Sequence, residues 1–250
     1  MDAYNKERKV AETVSYQREG QIGRIVFEDG KANVMSIAML SALHKAFDKA
    51  EKDKTAVFLS SRGRHFSAGF DLAVFANGTA QQNYTLLKSG AELALRILSF
   101  PRPVVTACQG NAYPMGAFLL LASDYRIGAE GAFHIRLNEL AIGLTVPRFA
   151  VELARQRLSP SHFNRTVVTG EMFTPREAVA AGFLDRLVPV ADLERAASEA
   201  ATALTRIHPE HHFATKQRAR GPVIAAIRRV IDEDITLQYA EARVASRKSA

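Results

Sequence analysis

The sequence predicts an α/β fold with a helical C-terminal region, and three observations predict it. Short, continuous apolar runs, "TAVFLSS" at 55–61 and "PVVTACQG" at 103–110, have the composition of strands buried on both faces. Stretches with helical spacing lie between such runs, and strand–helix–strand alternation calls for a largely parallel sheet with right-handed crossovers. After about residue 190 the pattern becomes helical only, which divides the chain into a core at 1–190 and a helical region at 191–250.

Taken in order, "TVSYQREGQIGRIVFED" reads as two strands around a glycine-containing turn, with alternation in "RIVFED". "SIAMLSALHKAFDKAEKD" places Met39, Leu40, Leu43, Ala46, Phe47 and Ala50 on one helical face, with Ser36 as N-cap. "TAVFLSS" follows as a buried strand. The polar stretch "NGTAQQNYTLL" at 77–87 reads as a mobile loop beside the bound group. "AELALRILSF" is helical, "PRPVVTACQG" is a buried strand entered through two prolines, "PMGAFLLLASDY" is an interior apolar helix, and "YRIGAE" is a strand. In the C-terminal region Leu193, Ala197, Ala200, Leu204 and Ile207 share a helical face, and further helix is expected after Pro222.

Composition narrows the function classes. With 47% hydrophobic and 24% charged residues over 250 positions, the chain has the material for a sizeable core. Cys108 is the only cysteine, which excludes an internal disulfide and a cysteine-rich metal site and suits a reducing compartment; its apolar surroundings point to a small buried hydrophobe. The excess of 33 Lys and Arg over 26 Asp and Glu is dispersed in short clusters, "SRGRH", "KQRAR" and "RR", which read as solvated faces or small anion sites. No basic segment has interleaved aromatics, so no nucleic-acid partner is expected. No run of 18 apolar residues occurs and the first residues hold no apolar signal, so no membrane contact and a cytoplasmic location are expected. The His208, His211 and His212 group, without a cysteine partner, is not persuasive as a zinc site.

Three segments could carry chemistry. "HFSAGFDL" at 65–72 places Gly69, which can adopt backbone conformations closed to other residues, beside Ala68, whose small side chain leaves its N–H approachable. "QGNAYPMGAFLLLASD" at 109–124 ends a strand at Gly110 and opens a helix with Pro114, so the Met115 N–H would point out of a helix N-terminus. "HIRLNELAIGLTVP" at 134–147 sets Glu139 among Leu137, Leu140, Ala141 and Ile142, where an apolar setting raises a carboxyl pKa toward neutrality. Each segment also has a plain structural reading: two tight turns and an exposed glutamate.

Together they resemble the crotonase superfamily of enoyl-CoA hydratases and isomerases, over nearly the whole chain. The apolar helix ending in Asp124-Tyr125-Arg126-Ile127 and the segment "TPREAVAAGFLDRLVP" at 174–189 match in the same order. The resemblance implies a crotonase-like spiral of ββα units, an acyl-CoA thioester substrate, no metal or redox cofactor, and a homotrimer or hexamer packed through the C-terminal helices. It implies an oxyanion hole from the Ala68 and Met115 amides, each such donor being worth about 10²–10³ in rate. It also implies a site formed with Phe66, Gly69, Phe70, Asp71, Gly116, Phe118 and Asn138. Backbone around His65 would meet CoA, with Arg62, Arg64 and Lys216 near its phosphates.

Hydratases of the superfamily use two glutamates, and the positions aligned with them hold Phe118 and Glu139. One carboxylate can carry a proton from one carbon to another, so the pattern resembles the Δ3,Δ2-enoyl-CoA isomerases; the dienoyl type needs an acid where Pro147 stands. Met115, in place of the usual Gly or Ala, is expected to narrow the acyl pocket, and His134 or Arg136 would lower the Glu139 pKa. A hydratase or acyl-CoA hydrolase in which Glu139 directs a water, and a non-catalytic acyl-CoA binder, remain as alternatives.

Overall fold

The computed structural model describes residues 13–248, with side chains through 245. The first twelve residues of the expected core lie outside them. The chain begins with β1 (Val14–Glu19) and β2 (Ile22–Phe27), an antiparallel pair, then β3 (Val34–Met35) and α1 (Ile37–Lys52). The Ser36 hydroxyl accepts from the Met39 N–H, and the six apolar residues predicted for the inner face of α1 are all buried.

The next unit holds β4 (Ala56–Ser61), β5 (His65–Ser67), β6 (Gly69–Phe70), α2 (Leu72–Asn77) and α3 (Ala80–Ser99). Here the expectation of a loop over 77–87 is wrong. Thr79 and Gln82 form a reciprocal capping box, and the buried Asn83 amide donates to the carbonyls of Val74, Gly78 and Thr79, so polar residues nucleate a helix instead of interrupting one.

A third unit follows with β7 (Val104–Cys108), β8 (Asn111–Ala112) and α4 (Pro114–Ala122), and then β9 (Tyr125–Ala129). The chain continues through α5 (Arg148–Arg157), α6 (Pro160–Val167), α7 (Pro175–Ala181), β10 (Arg186–Val188) and α8 (Leu193–Leu204). It ends with α9 (Pro209–Asp234) and α10 (Leu237–Lys248). Pro222 lies inside α9 and does not end it; Ile207 lies beyond the end of α8 and is exposed, so it does not extend that helix face.

The main sheet runs β1-β2-β4-β7-β9-β10, parallel except for the first pair. Two short parallel ladders, β3 with β6 and β5 with β8, form a second layer. Each turn of the chain thus gives one or two strands to the sheet and one or two short strands to this layer before entering a helix, which is the ββα spiral. All nine residues of α4 are buried, as an apolar helix between layers requires.

Charges fasten the C-terminal region to this core. Asp124 accepts from the Val104 N–H at 2.7 Å and pairs with Lys216 at 2.7 Å and Arg220 at 2.8 Å, both on α9. Lys216 also donates to the Phe100 and Arg102 carbonyls. The expectation that Lys216 meets a CoA phosphate is therefore wrong: the ammonium is buried and its three donors are spent on the fold. Arg126 forms a two-pronged pair with Asp185, its Nη2 to Oδ1 contact being 2.6 Å.

Candidate active site

A cavity of about 480 Å³ opens between the short-strand layer, the segment after β9 and the last two helices. Ala68, Phe70, Pro114, Asn138 and Glu139 line its inner end. The two loops and the segment carrying Glu139, separated by some seventy residues of sequence, meet here.

Glu139 precedes a single 3-10 turn, Leu140–Ile142, which Gly143 closes at φ 73°. Its carbonyl accepts from the N–H groups of Ile142 at 3.1 Å and Leu144 at 2.8 Å, fixing the backbone. The residue is only 6% exposed, and Oε2 is buried without a hydrogen-bond partner among the described residues. Burial pushes the carboxyl up to about 7; its own N–H and the positive charge of Arg136 oppose this and are outweighed. Of the two opposing effects expected from sequence, the apolar setting outweighs the lowering by Arg136.

The neighbouring backbone corrects the first donor. The Ala68 N–H already donates to the Ala32 carbonyl at 2.9 Å, so it is not open to a ligand. Gly69, at φ 93°, turns the chain against Pro114, and β6 then pairs with β3. The Asp71 N–H bonds Met35 O on that side at 3.3 Å. Amide directions alternate along a strand, so the Phe70 N–H faces away from β3, and Phe70 lines the cavity. The open donor in this loop is Phe70 rather than Ala68.

Met115, expected to carry the second donor, is the second residue of α4; Pro114 beside it lines the cavity and Met115 itself does not. Tyr113 caps α4, Pro114 is its first residue, and the N–H groups of Gly116 and Ala117 turn back to Tyr113 O at 2.6 and 3.2 Å. The Met115 N–H, second in the helix, has no intrahelical acceptor. Its side chain does not narrow the acyl space as expected: it is fully buried, beside the Phe70 ring and over Gly90 of α3. A Cβ on Gly90 would lie 2.4 Å from Phe70 Cε1 and 3.2 Å from Met115 Sδ. This glycine, which no motif marks, makes room for the side chains of Phe70 and Met115.

Several residues expected around the substrate do other work. Phe66 is packed edge-on against Phe27 at 5.4 Å in the core. Asp71 caps α2, accepting from the Ala73 N–H at 3.0 Å. A Cβ on Gly116 would approach the Ser67 carbonyl to 3.0 Å, so this residue serves the contact of α4 with β5. Phe118 does not line the cavity; its ring sits edge-on behind Phe149, which does, at 5.3 Å. His65 is half-buried, with Nδ1 3.2 Å from Asn111 Nδ2 and its carbonyl held by Asn33 and Gln109. Arg62 and Arg64 are exposed on the loop before β5 and do not line the cavity.

The outer half of the cavity belongs to elements that no motif marks. Arg148 at the start of α5 pairs with Asp234 at 2.7 Å and stands 3.6 Å from Glu233, and all three line the space. Ile235, Thr236, Tyr239 and Arg243 complete that wall. Among the described residues no group of His, Cys, Asp and Glu could hold a metal ion, and no helix is long and apolar enough to cross a membrane. Cys108 is buried and its thiol is pushed up to about 12, which leaves it inert.

The model of the enoyl-CoA hydratase/isomerase family matches residues 17–250. This chain belongs to that family. Among solved members, the apo enoyl-CoA isomerase of Mycobacterium tuberculosis is 40% identical, with a TM-score of 0.84 over 88% of this chain and 96% of its own. An enoyl-CoA hydratase from Mycobacterium ulcerans is 39% identical, with a TM-score of 0.87 over 93% and 99%. A carnitinyl-CoA dehydratase of Salmonella typhi is 29% identical over 215 residues, 85% of this chain and 82% of that protein. The family shares the fold and acyl-CoA chemistry; the names of its members divide between isomerisation and the addition or loss of water.

Proposed function

We propose that this family member is a Δ3,Δ2-enoyl-CoA isomerase in which Glu139 alone carries the proton. The observation that carries the reading is a single unpaired, buried carboxyl at the cavity's inner end, held near neutrality by desolvation. Glu233 and Asp234 also line the space, but both face Arg148. The position aligned with a second catalytic acid holds Phe118, shielded behind Phe149.

In this mechanism the Glu139 carboxylate takes a proton from C2 of a 3-enoyl-CoA ester. The C2–H electron pair moves into the thioester, and the resulting dienolate oxygen accepts from the Phe70 and Met115 amides. Electrons then return: the C2–C3 double bond forms, C4 takes the proton back from Glu139, and the 2-enoyl ester leaves with no net change in atoms. A group with pKa near 7 suits both halves, since it must gain and lose the same proton. The buried setting strengthens both amide contacts by excluding water.

Purified protein with a 3-enoyl-CoA ester should yield the 2-enoyl isomer, and Glu139→Gln should abolish the conversion. A 3-hydroxyacyl product as the main outcome would select hydration, the reaction in the names of the hydratase relatives, and free CoA would select hydrolysis. The same proposal includes a homotrimer or hexamer assembled through residues 191–250 and a cytoplasmic location, with the mass from sedimentation or light scattering as the check on assembly.

A further inference from the structure

The cavity has a narrow continuation. Beyond Leu87 lies a crevice of about 10 Å³, lined by Asn83, Tyr84 and Ala240 together with residues it shares with the main cavity. Among the shared residues are Phe75 on α2 and Tyr239 and Arg243 on α10. The Arg243 guanidinium lies 5.3 Å from the Phe75 ring centre and 5.9 Å from that of Tyr239. A cation held over two rings is a mutually attractive stack, and this one stands across the passage between the two spaces.

Both elements that carry the stack bury few of their described side chains. No side chain of α2 is buried, and among the described side chains of α10 only Ala240 is, at 3% exposure. Elements with so little buried apolar area open locally at small cost. The α3 helix measures the distance: Gly90 lies under Phe70 and Met115, and Asn83, seven residues earlier, lines the crevice. That is about 10 Å along the axis. With carbon–carbon bonds of about 1.5 Å in staggered torsions, roughly eight carbons cover it.

We propose that the Phe75–Arg243–Tyr239 stack is the chain-length stop of the acyl site, so that the protein takes medium-chain acyl-CoA esters and admits longer ones only when α2 and α10 part. The inference rests on the reading of this cavity as an acyl-CoA site, and its test does not require turnover. Saturated acyl-CoA esters from four to sixteen carbons are titrated by calorimetry into the Glu139→Gln variant. Affinity should rise by about fourfold per added methylene, the value of a buried CH₂, and level off near eight to ten carbons. Adding Tyr239→Ala, at a residue 46% exposed on a peripheral helix, should move the break to longer chains, so that the ratio of long-chain to short-chain affinity rises. Arg243→Gln, which unlocks the stack, should move it in the same direction. An unmoved break in both variants, or an equal loss at every chain length, overturns the proposal. Failure of isomerisation with this length profile intact would instead count against the proposed reaction alone.

Discussion

Replacing Glu139 by glutamine should stabilise the protein while removing its activity. In the folded chain the carboxyl is pushed from its ordinary 4.5 to about 7 because burial disfavours the charge. Between those two values the unfolded chain releases a proton that the folded chain retains, so stability falls as pH rises through this window and stays lower above it. At 1.36 kcal/mol for each pKa unit, the penalty at pH 8.5 is about 3 kcal/mol. Glutamine has nearly the same shape and no charge to bury. At pH 4.5 the two proteins should therefore melt alike, and at pH 8.5 the variant should melt higher by about 6–12 °C for a chain of this length. Differential scanning calorimetry across pH 4.5–8.5, with isomerase activity measured on the same samples, is the assay. A melting difference that is flat with pH would refute the claim that Glu139 is held protonated by burial, and full activity in the variant would refute its role as proton carrier.

Other consequences can be checked separately. In the proposed mechanism the reactive form of Glu139 at the first step is the carboxylate, so kcat/KM should rise about tenfold per pH unit below 7 and level off above it; a profile flat from pH 5 to 8 would contradict the shifted carboxyl. Gly90→Ala drives a methyl into the Phe70 ring, 2.4 Å away, and should displace both amide donors. We expect a loss of about 10–100-fold in kcat with KM little changed, since one donor is worth about 10²–10³, and partial recovery on adding Phe70→Leu; unchanged kcat would dissociate this contact from the donors. Lys216→Met breaks a buried pair with Asp124 and should cost about 3–5 kcal/mol in urea unfolding without altering CoA-ester affinity in the folded protein. A selective loss of CoA affinity would restore the phosphate role expected from sequence.

Elements whose signal is local were legible: Ser36 caps the helix that its spacing predicted, the apolar runs became sheet strands, and Pro114 opened α4 with Met115 as its second residue. Residues 77–87 misled because Thr79, Gln82 and Asn83 look like loop residues and act as a helix cap. Ala68 misled for a different reason: whether an amide is open depends on its partner, and Ala32 lies 36 residues earlier in the chain. Lys216 looked like a phosphate ligand because sequence shows its charge and hides Asp124, 92 residues away.

The sequence by itself determined the alternating architecture, the family and the presence of one carboxyl suited to proton transfer, because these rest on spacing and residue type. Only the tertiary structure decided that Phe70 offers the open amide, that Gly90 makes room for the side chains of Phe70 and Met115, and that Tyr239 and Arg243 wall the outer cavity. These depend on contacts between segments far apart in sequence, where direction, distance and burial are set by packing and leave no local periodic trace.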